Sequence, residues 1–117
     1  MRIINREEFL KMPSGTLFSF GETHNINFSG LMVKYDTLIN KENIRYDFIY
    51  QNLIAPVKAE DSNELMDTIC RAIKTGENFE LDFDCSERDG VFDESAIYAI
   101  YEKSEIEALI NLLNTCI

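Results

Sequence analysis

The sequence predicts an α+β domain: a mostly antiparallel sheet of about four strands with three helices packed on it. Three observations carry this. Apolar residues recur every three or four positions near residues 5–12, 61–75 and 104–116. Residues 16–57 break instead into short runs rich in aromatic and β-branched side chains. Turn and capping residues fall where one pattern yields to the next. At 117 residues the chain fits one domain, 1–117, able to bury a core without disulfide staples. Its 45% hydrophobic and 27% charged content is that of a folded protein rather than a disordered one.

The first helix is signalled by Asn5 as its cap, with Glu8 three residues on as a capping-box partner. Ile4 and Phe9 form a hydrophobic staple, and Phe9, Leu10 and Met12 face inward. Pro13-Ser14-Gly15 ends the helix, because proline lacks a donor and glycine accepts a positive φ. Strands are expected at 16–20, at 28–35 with a bulge at Gly30, and at 44–54 after the turn 40–43. In the third, Ile44, Tyr46, Phe48 and Tyr50 alternate on one face, opposite Arg45 and Asp47. Pro56 breaks the run or confines its end to an edge. Together these read as an antiparallel meander.

The second helix opens at Asp61 or Ser62, carries the stripe Leu65, Met66, Ile69, Cys70 and Ile73, and stops at Gly76. Residues 96–101 are apolar on both faces, as suits a central or interface strand. Ser104 with Glu107 reads as a capping box opening a last helix that buries Ile106, Leu109, Ile110, Leu113 and Cys116.

Charge is unevenly spread. Glu77, Glu80, Asp82, Asp84, Glu87, Asp89, Asp93 and Glu94 face one cation, Arg88, so this segment carries −7 of the total −10. Such a surface disfavours long nucleic acid and suits a basic partner. The alternation of Asp82, Asp84 and Ser86, with Asp93 at the twelfth position, is that of a calcium loop. Glu87 stands where that loop requires glycine, however, and the closing ligand should be glutamate, so no metal is assigned. No glycine-rich phosphate cradle occurs.

The only histidine, His24, pairs at most with Glu22 and lacks a third catalytic group. Cys85 sits among carboxylates that make it a poor nucleophile. Three cysteines without a CxxC pair indicate no disulfide framework, with Cys70 and Cys116 expected to be buried on helix faces. The reading is therefore a protein without catalytic residues or cofactor. No apolar run approaches the ~20 residues of a membrane span, and the first eight residues lack the apolar stretch of a secretory signal, so a cytoplasmic address is expected.

Tyr35, Tyr46, Tyr50, Tyr98 and Tyr101 all fall on expected strands. An apolar body with a polar tip suits core edges, ligand pockets and oligomer interfaces alike. Arg45, beside Tyr46, is the natural anion anchor. Arg45, Tyr46, Tyr50 and Arg88 are the candidate ligand-binding residues, while Asp89 and Asp93 are expected to shape their own loop.

The runs Arg6-Glu7-Glu8-Phe9-Leu10, Pro13-Ser14-Gly15-Thr16, Arg88-Asp89-Gly90-Val91-Phe92-Asp93 and Tyr98-Ala99-Ile100-Tyr101-Glu102 resemble a group of small proteins encoded by tailed phages and prophages. Asp61-Ser62 fits that pattern, and residues 20–29 depart from it. The resemblance implies a phage setting, in a host cell's cytoplasm, and no catalytic residue. In that setting two roles are open. One is a homo-oligomer that sequesters a small nucleotide immune signal; the other is an acidic inhibitor or DNA mimic covering a basic surface of a host defence protein.

Overall fold

Six strands, not four, form one antiparallel sheet in the computed structural model, which describes residues 1–21 and 30–117. In chain order the elements are β1 (Arg2–Asn5), α1 (Arg6–Leu10), β2 (Thr16–Gly21), β3 (Met32–Ile39), β4 (Arg45–Asn52), α2 (Ser62–Thr75), β5 (Glu87–Arg88), β6 (Ile97–Ile100) and α3 (Lys103–Asn114). The spatial order is β1-β6-β2-β3-β4-β5. The chain falls into two compact units. Met1–Leu53 with Ser86–Ile117 holds the whole sheet, α1 and α3; Ile54–Cys85 holds α2 and an antiparallel bridge between Val57 and Leu81.

The α+β class and the β2-β3-β4 meander are as expected, and the two additional strands have local reasons. β1 has four residues and runs directly into α1, so its Ile3 and Ile4 look like a helix lead-in. β5 has two residues within the acidic segment, and only its pairing with Ile49 and Tyr50 makes it a strand. The doubly apolar 96–101 segment has its explanation in β6, which lies between β1 and β2 with Tyr98, Ala99 and Ile100 buried.

α1 has five residues, too short to persist alone. Asn5 Oδ1 accepts a hydrogen bond from the Glu8 amide at 2.9 Å, fixing the first turn. Phe9 then anchors it. Its ring stacks on Tyr98 at 4.0 Å between centroids and meets Phe18 at 4.7 Å and Phe48 at 4.9 Å. Leu10, Met32 and Ile100 complete this aromatic core. Burying one such phenylalanine contributes about 2 kcal/mol, enough to hold a helix that propensity cannot. At the chain's exit from α1, Gly15 adopts φ +93°, the left-handed turn for which Pro13-Ser14-Gly15 is suited.

The β3–β4 ladder slips twice. Lys34 pairs with Tyr50 and Thr37 with Phe48, so β3 bulges; Leu38 pairs with Asp47 and Ile39 with Arg45, leaving Tyr46 as an extra residue on β4. The expected alternation therefore fails at Tyr46, and Asp47, expected only on the face opposite Phe48, is fully buried. Lys34 is buried too. Its ammonium donates to Met12 O at 2.9 Å, Tyr35 O at 3.0 Å and Thr37 Oγ1 at 2.6 Å, placing all three protons. Burial lowers its pKa, against a smaller upward pull from Asp36.

The two longer helices depart from expectation in what they bury. α2 is capped as expected, by Asp61 accepting from the Glu64 amide at 2.8 Å and by Gly76 at φ +73°. Its Leu65, Met66 and Ile73 are nevertheless exposed. α3 starts after Glu102, which makes no side-chain cap, and Ser104 donates to Glu105 instead of capping. Ile106 and Leu109 are half-buried, but Ile110, Leu113 and Cys116 are exposed, contrary to their expected burial. Only the start of α3 is tied to the sheet edge, through the Met1 ammonium with Glu105 and Arg2 with Glu102 at 2.6 Å. Cys70, expected to be buried, is exposed, as is Cys85. Among the described residues no helix is long and apolar enough to cross a membrane.

Candidate functional site

The bulge at Tyr46 builds the site. By turning Asp47 inward, it places a carboxylate where the chain returns after β5. Arg88 Nε donates to Asp47 Oδ2, and the Gly90 amide donates to both oxygens at 3.1 and 3.2 Å. Gly90 adopts φ +67°, which aims its N–H at the carboxylate without the penalty a side chain would bring. Phe92 also has a positive φ, +56°, an uncommon conformation for a large side chain. The turn so formed lays Phe92 near Tyr46, the rings 6.5 Å apart and 20° from parallel. The Arg88 guanidinium lies 5.5 Å from each ring centroid.

Arg6, at the start of α1, reaches the same place. It donates to Tyr98 Oη at 3.1 Å and to Tyr46 O at 2.9 Å. It also contacts Asp89 at 3.5 Å and Asp47 at 3.8 Å. Two arginines thus balance two aspartates beneath the turn. Burial pushes the Asp47 carboxyl up, but the hydrogen bond from Arg88, those from the Phe48 and Gly90 amides and the Arg88 charge outweigh it, and its pKa is low. The same hydrogen bond to Asp47 raises Arg88 against a smaller desolvation effect. Burial raises Tyr98 despite the Arg6 donor. Asp93 accepts from the Ser95 amide at 3.0 Å and hydroxyl at 2.6 Å, so it too shapes the loop.

Two cavities flank this ion layer. One, about 490 Å³, lies over Arg6 and is lined by Glu7, Ile44, Arg45, Tyr46, Phe92 and Glu94 among others. The Arg45 guanidinium has no hydrogen bond or ion pair with the described residues. The other, about 320 Å³, is lined by Phe20, Tyr50, Asp89, Asp93 and Tyr98. There burial, reinforced by Glu87 and Asp89, pushes the Tyr50 hydroxyl up to about 12. In the Ile54–Cys85 unit a wider cleft of about 520 Å³ carries the ion pairs Lys58–Glu80 at 3.5 Å and Arg71–Glu77 at 3.8 Å.

The four candidate ligand residues are therefore divided. Arg45 and Tyr46 share one cavity, Arg88 touches Tyr46 but is engaged by Asp47, and Tyr50 faces the other cavity. Sequence reasoning missed Phe92, Ile44, Glu7 and Glu94. Phe92 lies inside the Arg88–Asp93 run and Glu7 inside the Arg6–Leu10 run, a signal that was available; Glu94 stood out only as one of the acidic segment's charges. Glu22 and His24 lie outside the described residues. Among the described residues no three of His, Cys, Asp and Glu gather as metal ligands. The first cavity can stack a flat ring on Tyr46 or Phe92, pair an anion with Arg45, and accept hydrogen bonds at Glu7 and Glu94. Comparison with protein-family models, curated proteins and solved structures finds no match.

Proposed function

We propose that this is a phage-type binding protein that counters host antiviral defence by sequestering a small nucleotide-like signal in the cavity of Arg45, Tyr46 and Phe92. The observation that carries this reading is Arg45: a guanidinium without a partner among the described residues, beside two aromatic rings, in a cavity of about 490 Å³. Guanidinium pairs with phosphate in a forked geometry, and aromatic faces accept any base. Glu7 and Glu94 set a limit on the ligand. With one solvent-facing cation and two carboxylates on its walls, the cavity favours a ligand of low negative charge bearing amino groups, and repels a polyphosphate. Sequestration needs tight stoichiometric binding and no turnover.

Calorimetry against cyclic mono- and dinucleotides, cyclic ADP-ribose isomers and ATP tests this. A cyclic ligand should bind tightly, and Arg45→Ala or Tyr46→Ala should weaken it by about tenfold or more, since a charge-assisted hydrogen bond contributes about 1.5–3 kcal/mol. No heat with any of them sinks the reading. The acidic-inhibitor alternative draws on half-buried Asp82 and exposed Asp84, beside the exposed Phe79 and Leu81 and without an ion pair among the described residues. It expects a host protein held in a salt-sensitive complex that Asp82→Asn with Asp84→Asn releases.

A further inference from the structure

We propose that the apolar stripe of α3 is the surface through which two copies of this chain meet. Ile106, Leu109, Ile110 and Leu113 recur at helical spacing on one face, with Leu112 at its flank. The outer part of this face is open: Ile110 is 53% exposed, and Leu112 and Leu113 are each 64% exposed. Large side chains this exposed, close together on one helix, mark an interaction surface.

Charge selects the occupant. The last charged side chain is Glu107, and residues 108–117 carry none, in a chain of net −10. Two such chains repel each other over most of their surfaces. Contact along 108–117 brings no charged side chains together, and a two-fold axis matches the stripe to itself. A basic partner finds nothing here to pair with. An anionic bilayer needs flanking lysines and arginines, whereas α3 offers Lys103 alone, paired with Glu107 at 3.8 Å. On β6, Tyr98, Ala99 and Ile100 are already buried, so the doubly apolar segment offers a second copy little free surface. No residue of the Arg45 cavity lies on α3, so this inference and the ligand reading fail independently.

Light scattering on the full chain across a concentration series should show a species of twice 13.5 kDa. Its association should strengthen several-fold as sodium chloride rises, because screening removes repulsion while apolar contact persists. Ile110→Glu and Leu113→Glu should each yield a monomer with an unchanged far-ultraviolet spectrum, and Met66→Glu on α2 should leave the dimer intact. A monomer at every concentration overturns the proposal. So does a dimer that survives the Ile110→Glu/Leu113→Glu double variant, or one that dissociates in salt.

Discussion

Arg6, Lys34 and Asp47 lie inside this molecule, while Ile110, Leu112 and Leu113 lie on its surface. The two regions invert the usual distribution, and they do so for one reason: a side chain is placed by the partners it finds. Around α1 and β4 each buried charged group has its partners, and among the described residues no buried side-chain nitrogen or oxygen lacks a hydrogen bond. Along α3, Ile110, Leu112 and Leu113 stay exposed among the described residues. Interior charge here is a finished structure, and exterior hydrophobicity is an unfinished one.

Breaking the interior side should have the largest effect. Asp47→Ala removes the acceptor for Arg88 and Gly90 and one of the two carboxylates beside Arg6, so unfolding in urea should show a loss of about 3 kcal/mol, in the range for breaking a buried ion pair. Unchanged stability would mean that the layer is solvated and the comparison false. The pH dependence has a definite sign. Because the folded pKa of Asp47 lies below its ordinary value of 3.8, its contribution is present above that value and is lost as pH falls through the lower folded pKa. Wild-type stability should drop below about pH 4, and Asp47→Ala should flatten that limb.

The legible parts of the fold were those specified locally. Asn5, Asp61 and Gly76 cap as their residue types require. What stayed hidden was set by pairing over distance. β5 exists only because Glu87 and Arg88 meet Ile49 and Tyr50, and the Tyr46 bulge exists only in the register against Leu38 and Ile39. That one slipped residue decides the site, since it buries Asp47 and separates Tyr46 from Tyr50. The runs Arg6-Glu7-Glu8-Phe9-Leu10 and Arg88-Asp89-Gly90-Val91-Phe92-Asp93, far apart in sequence, meet through the Arg6–Asp89 contact at 3.5 Å. α3 misled for another reason. Amphipathic period shows that a helix has an apolar face, but says nothing about whether its own chain covers it.

Tyr50 sharpens the comparison at alkaline pH. Its hydroxyl is raised to about 12 by burial first and by Glu87 second, whereas an unfolded tyrosine ionises near 10. The folded state therefore holds this proton after the unfolded state has released it, and stability is lost as pH rises from about 10 towards 12. Tyr50→Phe removes that titration. A denaturation series at pH 9, 10 and 11 should fall less steeply in the variant; identical slopes would show that the second cavity is open to water.

The smallest effect separates the two kinds of helix. α1 is short, capped and packed; α3 is more than twice as long, uncapped and largely unpacked. Asn5→Ala removes an acceptor at the entry to the aromatic core and should cost about 1 kcal/mol in urea. Glu102→Ala removes only the exposed pair with Arg2, worth about 0–1 kcal/mol. If Glu102→Ala proved the more damaging, α3 would be holding the sheet edge in place. The ordering expected here makes α1 part of the folding unit. It leaves α3 a surface helix, whose slow hydrogen exchange would have to come from a second molecule and so would fade on dilution.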